Sequence, residues 1–382
     1  MQWYIICDRI SCILWRDVYF TATARRDLRM RTGYNNAGVT SEMIPQIKNG
    51  NRRDKVLTVS IAAYNAKATL PKALDSCLVS GAERLEVIVV DDGSTDDTAH
   101  VAEEYAARWP EIFRVIRQPN GGYGSVQMTA LAQAQGTYFR TLDSDDWFDP
   151  DALTKLLRYL ETCSTDAVFT NYCTVRNNQI QDVFSVCEGH KEGYVYTYDT
   201  LEQPVLNMEI HALNCRTQML RAAKIQLLPH CSYTDMAYTF LSMAAVQTIS
   251  FCPVDLYHYR LGRDGQSVSI ESYQKHFEDY VKVTEQILDA ADLLPGGNKG
   301  EILRGRARDI AQYGIELLLR FAPDKKVRER LEAYDRSLRK KHPQISAKMY
   351  NKNTKMLRNS RYCLYGLLNI YAKVKTKHRR QI

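Results

Sequence analysis

The chain has 382 residues, enough for two domains or for one large domain with appendages. Hydrophobic residues make up 45% and charged residues 25% of the sequence, a composition that excludes fibrous and disordered proteins. The net charge of +7 is uneven, because residues 323–382 hold 18 Lys+Arg against 4 Asp+Glu and leave the rest of the chain acidic overall.

No run approaches the ~20 apolar residues that span a bilayer, and the early apolar segment, residues 5–15, has neither the flanks nor the cleavage site of a signal peptide. We therefore expect a cytoplasmic protein. Its basic C-terminal region predicts either a peripheral contact at the inner face of the membrane or a solvated helix face. Ten cysteines without a C-x-x-C pair indicate reduced thiols.

Residues 1–53 lack a clear period and are interpreted as an irregular N-terminal leader. After them, short β-branched runs alternate with helical patterns, as in a parallel sheet with right-handed crossovers. Ligands of such sheets bind beyond the carboxyl ends of the strands. The predicted strands are residues 56–63, 85–90, 113–116 and 137–142, and the predicted helices begin near Pro71, Ala99 and Ser125.

The second predicted strand ends in residues 91–96, DDGSTD. A carboxylate there can accept a hydrogen bond from a nucleobase or a ribose hydroxyl, and the glycine permits close approach of a ligand. The alternative is ordinary turn and helix-capping chemistry.

The fourth predicted strand ends in residues 143–146, DSDD. Carboxylates at i and i+2 place hard oxygen ligands together, which suits Mg²⁺ or Mn²⁺ bridging to diphosphate oxygens. Such a metal stabilises a departing nucleoside diphosphate. The alternative is an acidic loop that caps the helix beginning at Pro150, and it accounts for Asp149 better than for the other acids.

Three further stretches carry weaker signals. The glycines of residues 118–127 (QPNGGYGSVQ) permit close approach to a ligand but match no phosphate-binding motif. Asp235 stands at a predicted helix start, where it is either a cap or a general base. Arg260 and Arg263, within residues 257–269, either clamp a phosphate or acceptor or belong to a strand edge with a glycine turn.

Together, the stretches SIAAYNAKATLPKALDSCL, EVIVVDDGSTDDT, the NGG turn, GTYFRTLDSDDWFDP, SYTDMAY and YRLGRDGQSVS resemble the family 2 glycosyltransferases. The resemblance covers about residues 55–270, and the YTD and GRDGQS stretches look like those of a bacterial subgroup. It implies an α/β GT-A fold, a Rossmann-like, mostly parallel sheet flanked by helices, over residues 54–270. A basic helical subdomain would follow over residues 271–382.

The resemblance also implies roles for single residues. Asp92 would recognise the base, Asp145 would hold the metal directly, and Asp235 would deprotonate the acceptor. The usual Glu-Asp pair at the last position is Thr-Asp here, so one acid remains. The residues expected to bind the nucleotide sugar are Ala63, Tyr64, Asp92, Gly121, Asp143 and Ser144, and those expected to bind Mn²⁺ or Mg²⁺ are Asp143 and Asp145.

The implied activity is metal-dependent, inverting transfer of a sugar from a nucleoside-diphosphate sugar, with UDP expected. The acceptor would be a carbohydrate or a lipid-linked hydroxyl in bacterial polysaccharide or glycoconjugate assembly, with no nucleic acid partner. The alternatives are a nucleotide-sugar-binding scaffold without transfer activity and a nucleotidyltransferase. A haloacid-dehalogenase-type phosphatase is disfavoured, because the acids at 91 and 92 are adjacent.

Helical patterns at residues 277–288, 302–321 and 327–339 predict the C-terminal subdomain. Near its end, residues 362–372 (YCLYGLLNIYA) are aromatic and apolar and have cationic neighbours on both sides. This segment is expected to be either an interfacial helix or a core helix.

Overall fold

The computed structural model describes residues 55–201, 209–262, 269–349 and 351–379. The predicted leader, residues 1–53, lies outside the described residues. So does most of the GRDGQS stretch, including Arg263.

The first half of the fold is a parallel sheet, as predicted. Its strands lie in the order β3-β2-β1-β4, and every neighbouring pair is parallel. Helices cover the strands, so the strands read as nearly continuous apolar runs. The strands are β1 (Leu57–Ala63), β2 (Leu85–Asp91), β3 (Phe113–Arg117) and β4 (Tyr138–Asp143), and the intervening helices are α1 (Leu70–Asp75), α2 (Thr98–Arg108) and α3 (Gly122–Gln133).

Two of these helices begin earlier than predicted. Helix α2 begins at Thr98, whose backbone N–H donates to Asp96 Oδ1 at 2.9 Å, so Asp96 satisfies a donor of the first turn. Helix α3 begins at Gly122, inside the predicted NGG turn. The turn therefore ends where the helix begins.

The second half of the sheet is mixed, which corrects the expectation of a mostly parallel sheet. Beyond β4 the strand order is β8-β6-β9-β5, and β7 pairs with the second half of β6, past the part that pairs with β8. In this half of the sheet only the pair of β6 and β9 is parallel. Strand β9 lies inside the sheet and not at its edge. The added strands are β5 (Trp147–Phe148), β6 (Ala167–Arg176), β7 (Gln179–Phe184), β8 (Leu213–Arg216) and β9 (Ile249–Arg260).

Helices complete the molecule. The predicted C-terminal patterns all form helices, extended by a few residues at their ends. In the described part of the chain, no helix is both long and apolar enough to cross a membrane. The remaining helices are α4 (Pro150–Thr162), α5 (Thr217–Ala222), α6 (Thr234–Ala245), α7 (Ile270–Lys275), α8 (Phe277–Asp292), α9 (Asn298–Arg320), α10 (Lys325–Lys341), α11 (Pro343–Ala347), α12 (Lys352–Asn359) and α13 (Tyr365–Arg379).

Buried polar contacts fix the C-terminal helices to one another. The Tyr280 hydroxyl on α8 donates to the Ile310 carbonyl on α9 at 2.6 Å. Asp335 on α10 is 1% exposed and accepts from Arg358 Nη2 at 2.7 Å and from the Tyr362 hydroxyl at 2.5 Å. A buried carboxylate is stable only when it is paired and hydrogen-bonded in this way. The domain boundary at residue 270 stays a prediction.

Candidate functional site

The strand register brings the predicted nucleotide-binding residues to one edge of the sheet. Ala63 at the end of β1 lies opposite Asp91 on β2, and Ala62 lies opposite Asp143 on β4. Neighbouring strands are ~4.8 Å apart, so Asp91 and Asp143 are separated by about 10 Å across β1. The two acidic clusters therefore face the same edge, as the sequence predicted.

Asp92 is the centre of a hydrogen-bonded turn at this edge. Its side chain accepts from Gln118 Nε2 at 2.7 Å and from the backbone N–H groups of Gly121 and Gly122, both at 2.8 Å. The residue is 4% exposed. The Asp92 carboxylate thus holds the NGG turn in place. Two of the residues predicted to bind the nucleotide sugar, Asp92 and Gly121, are hydrogen-bonded to each other. Their contact with a nucleotide stays a prediction.

We expect Asp92→Ala to lower the free energy of unfolding by about 2–4 kcal/mol, because it leaves buried N–H donors without an acceptor. Chemical denaturation checks this value. Asp97→Ala is the matched control, since Asp97 is an exposed acid of the same loop, and it should cost less than about 1 kcal/mol because its ion pair with Lys67 is exposed. Equal stability of the Asp92→Ala protein would contradict the structural role given to Asp92.

The turn after β1 is tied to the loop after β2. Asn65 has a positive φ of 48°, and its Oδ1 accepts from the Thr95 backbone N–H at 2.8 Å. The Asn65 backbone N–H donates to Ser94 Oγ at 3.0 Å. Beside this turn, Ala63 is fully buried and the Tyr64 side chain is 53% exposed. The structure therefore presents an exposed aromatic ring beside a hydrogen-bonded turn at the sheet edge.

A set of possible metal ligands lies at the end of β4. Asp143, Asp146 and His211 each offer one ligand atom, and these atoms all lie within 4.8 Å of one another. Asp145 and Ser144 lie on the same turn, partly exposed, but Asp145 is not one of the three. Its predicted role as the residue that holds the metal stays a prediction.

Two hydrogen bonds from strand β9 hold the carboxyl group of Asp146. Its two oxygens accept from the Tyr257 hydroxyl at 2.8 Å and from the Arg260 backbone N–H at 2.7 Å. Burial raises the pKa of Asp146 well above its ordinary range, and the negative charges of Asp143 and Asp145 add to the shift. A cation at this turn would offset that repulsion.

His211 is positioned by a buried arginine. Arg140 on β4 is fully buried, and it donates to the His211 carbonyl and, at 3.1 Å, to Asn214 Oδ1. Burial lowers the pKa of Arg140 to about 9. The His211 ring packs against the rings of Tyr257 and Tyr259. The imidazole therefore stands beside the acidic turn, although it is far from it in sequence.

The predicted general base lies in a separate cleft. Asp235 is in the first turn of α6 and lines a small cleft together with Glu209 and Arg306. Glu209 immediately precedes the short helical turn, Ile210–Ala212, that contains His211, and Arg306 comes from α9 in the C-terminal helices. The cleft therefore contains a second acid and a cation that the Thr-Asp motif did not predict.

Tyr123, in the first turn of α3, connects the two groups of acids. Burial raises the pKa of its hydroxyl well above the ordinary range, and the charges of Asp143 and Asp235 both raise it further. The charges of the acidic turn after β4 and of the start of α6 therefore act on the same buried hydroxyl.

Close helix packing accounts for one glycine of the glycine-rich stretch, Gly124. A Cβ atom at this position would lie 3.0 Å from Leu227 Cβ and the Leu228 carbonyl and 3.2 Å from Thr234 Oγ1. The absence of a side chain lets α3 approach the start of α6 closely. These glycines thus serve packing and the Asp92 turn, whereas the sequence suggested only approach to a ligand.

The sequence did not identify His211, Glu209 or Tyr123 as site residues. His211 and Glu209 come from an irregular segment with no periodic pattern, so no local signal marks them. Tyr123 stands in the glycine-rich stretch, where an aromatic residue between glycines was a usable signal. The predicted clamp residue Arg260 instead places its guanidinium over the Trp147 ring, 5.3 Å from the centroid.

Comparison with known proteins agrees with this geometry. Residues 58–214 match the family model described as "Glycosyl transferase family 2". "Putative glycosyltransferase EpsH" of Bacillus subtilis (strain 168) is 28% identical over 229 residues, which cover 57% of this chain and 64% of that protein. The chondroitin synthase of Escherichia coli is 26% identical over 238 residues, or 62% of this chain and 33% of that protein. The chain thus spans less than two thirds of the length of both relatives.

A solved structure shows the same fold. The crystal structure of S. aureus TarS 1-349 in complex with UDP-GlcNAc has a TM-score of 0.62 with this chain at 18% sequence identity, covering 85% of this chain and 91% of that one. The sheet and its acidic edge define a glycosyltransferase domain of the GT-A fold. The match over residues 58–214 confirms the resemblance to the family 2 glycosyltransferases.

Proposed function

We propose that the protein transfers a sugar from a nucleoside-diphosphate sugar, with UDP as the nucleotide, to a hydroxyl group of a carbohydrate or lipid-linked acceptor. The observation that carries this proposal is the group of acids at the carboxyl edge of the parallel strands. Asp143 lies there with Asp146 and His211, their ligand atoms within 4.8 Å of one another, on the same edge as Asp91.

The sheet edge supports binding of the donor. The exposed Tyr64 ring offers a stacking surface for a nucleobase beside the buried end of β1. The separation of about 10 Å between the Asp91–Asp92 and Asp143 positions suits a ligand with a base at one end and a diphosphate at the other. The crystal structures of TarS with UDP-GlcNAc and with UDP support the choice of UDP.

The residues after β4 fit a divalent cation. Two carboxylates and one imidazole, with ligand atoms within 4.8 Å of one another, form a donor set suited to Mn²⁺, and carboxylates with water suit Mg²⁺. Asp143, Asp146 and His211 would hold the ion, with the predicted ligand Asp145 on the same turn. When bound, the metal supplies positive charge for the diphosphate of the leaving nucleotide.

The cleft beside α6 supports the role of a base. An aspartate is ionised at neutral pH, so Asp235 can accept the proton of an acceptor hydroxyl as that oxygen attacks the anomeric carbon. The nucleoside diphosphate leaves from the opposite side in the same step, and the configuration at the anomeric carbon inverts. Arg306, a cation, lines the same cleft.

The proposed class of acceptor is inferred from the names of related proteins. Chondroitin synthases of Escherichia coli and Pasteurella multocida and a hyaluronan synthase of Pasteurella multocida are among the matching proteins. Their names support an acceptor that is itself a carbohydrate chain. A role in bacterial polysaccharide or glycoconjugate assembly follows from the same names.

Calorimetric titration of UDP, GDP, CDP and dTDP into the protein, with and without Mn²⁺, tests the proposal. We expect UDP to bind most tightly and its affinity to rise when Mn²⁺ is present. The matching UDP-sugars are then incubated with the protein, and release of UDP is measured with and without oligosaccharide acceptors.

The alternatives predict different results. A nucleotidyltransferase would bind UTP in preference to UDP and release pyrophosphate from UTP and a sugar phosphate. A scaffold would bind the nucleotide sugar without releasing UDP. Failure of all four nucleotides to bind would reject the donor site at the sheet edge.

A further inference from the structure

One face of the last helix, α13, packs against the rest of the protein. Tyr365, Leu368 and Asn369 are buried. Asn369 Nδ2 donates to the carbonyls of Leu319 and Phe321, at 2.8 and 3.0 Å, where helix α9 ends. Free carbonyls at a helix end need such donors. This inner face therefore fixes α13 against the body of the protein.

The opposite face of α13 is apolar and exposed. Leu367, Ile370, Tyr371 and Val374 are 67%, 62%, 54% and 57% exposed. Their spacing of i, i+3, i+4 and i+7 places them in one row along the helix. We call these four residues the apolar stripe. A contiguous group of exposed apolar side chains marks an interaction surface, whereas single ones do not.

The apolar stripe lies in a stretch of one charge sign. From Arg336 to the last residue the sequence has 14 Lys+Arg and no Asp or Glu. Lys352 and Lys355 on α12 and Arg361 in the turn before α13 are exposed. Among the residues that the structure describes, no acidic partner pairs with these three cations.

We propose that the apolar stripe and its surrounding cations bind the surface of membranes that contain anionic phospholipids. Apolar side chains on one side of a helix can enter the boundary between headgroups and acyl chains, while the cations meet lipid phosphates. A second copy of the chain fits this face less well, because two copies of a surface on which Lys352, Lys355 and Arg361 are exposed would repel each other. The inference depends on this surface alone and not on the proposed sugar transfer.

Sedimentation of the full chain with lipid vesicles tests the proposal. We expect the protein to sediment with vesicles of phosphatidylcholine and phosphatidylglycerol, to stay in solution with phosphatidylcholine alone, and to be released as salt rises. Leu367→Ser with Ile370→Ser should weaken binding about tenfold or more, because two apolar side chains no longer leave water. Ile180→Ser with Val183→Ser, a similarly exposed pair on β7, is the matched control and should bind like the parent.

A charge-reversal pair provides the second part of the test. Lys352→Glu with Lys355→Glu should weaken binding about tenfold or more, since each cation near an anionic surface contributes to attraction. Lys155→Glu with Lys275→Glu is the control with the same charge change elsewhere on the surface, and it should retain most of the binding. Thermal unfolding should be the same for all variants, because every substituted side chain is exposed.

Three results would overturn the proposal. Binding that is equal for neutral and anionic vesicles would remove the role of the cations. Binding that survives Leu367→Ser with Ile370→Ser would remove the role of the apolar stripe. Analytical ultracentrifugation that detects a dimer, and loses it in the same double variant, would assign the stripe to a second copy of the chain.

Discussion

Asp235→Asn is expected to lower kcat for sugar transfer about 10²- to 10⁴-fold, the usual contribution of a general base. Asparagine keeps the shape of the side chain but cannot take the proton of the acceptor hydroxyl. Donor binding should be unchanged, because Asp235 lies in the cleft with Glu209 and Arg306 and not at the sheet edge. Release of nucleoside diphosphate in the presence of acceptor gives kcat, and calorimetry gives the donor affinity.

Glu209→Gln is the matched control for this substitution. It changes the second acid of the same cleft in the same way, so it separates loss of the base from loss of negative charge. We expect Glu209→Gln to affect acceptor KM more than kcat. Near-normal kcat for Asp235→Asn, together with a large loss for Glu209→Gln, would transfer the role of base to Glu209.

Asp143→Asn is expected to weaken metal-dependent donor binding by about 100-fold or more, because even changes to residues behind metal ligands cost 10- to 100-fold in metal affinity. The carboxylate of Asp143 belongs to the group with Asp146 and His211, and it lies at the sheet edge where the diphosphate is proposed to bind. Titration of UDP with and without Mn²⁺ measures the effect. Donor binding in the absence of metal should change little.

Two neighbouring substitutions separate the roles of the other acids. Asp145→Asn should reduce metal-dependent binding without loss of stability if Asp145 holds the ion. Asp146→Asn should also reduce the free energy of unfolding, by about 2 kcal/mol, because asparagine has one acceptor oxygen and cannot accept from both the Tyr257 hydroxyl and the Arg260 N–H. An Asp143→Asn protein that retains full Mn²⁺-dependent binding would contradict the metal site after β4.

The parallel half of the fold was predictable because its signals are local. Each of the strands β1, β2 and β4 is a short apolar run, and the carboxyl ends of parallel strands meet at one edge. That rule placed both acidic clusters at one edge, and the structure confirms that placement. The nucleotide, metal and proton-transfer roles of these residues still await the experiments above.

The rest of the site depends on contacts that are distant in sequence. His211 reaches the acidic turn only because β8 pairs with β4 in an antiparallel direction and Arg140 fixes the carbonyl of His211. Nothing near His211 in the sequence indicates that pairing. Arg306 reaches the cleft from the C-terminal helices, so its place follows from helix packing. The interior position of β9 was likewise missed, because its pairing with β6 depends on strands far from it.

The contact at Gly124 bears on the distance between the proposed base and the turn at the sheet edge. Helices α3 and α6 meet there without a side chain between them, and a Cβ atom at this position would force its neighbours, Thr234 among them, to shift by a few tenths of an ångström. Helix α3 begins at the turn held by Asp92, and α6 carries Asp235. The missing Cβ atom therefore keeps the proposed base close to the end of the sheet where the donor is proposed to bind.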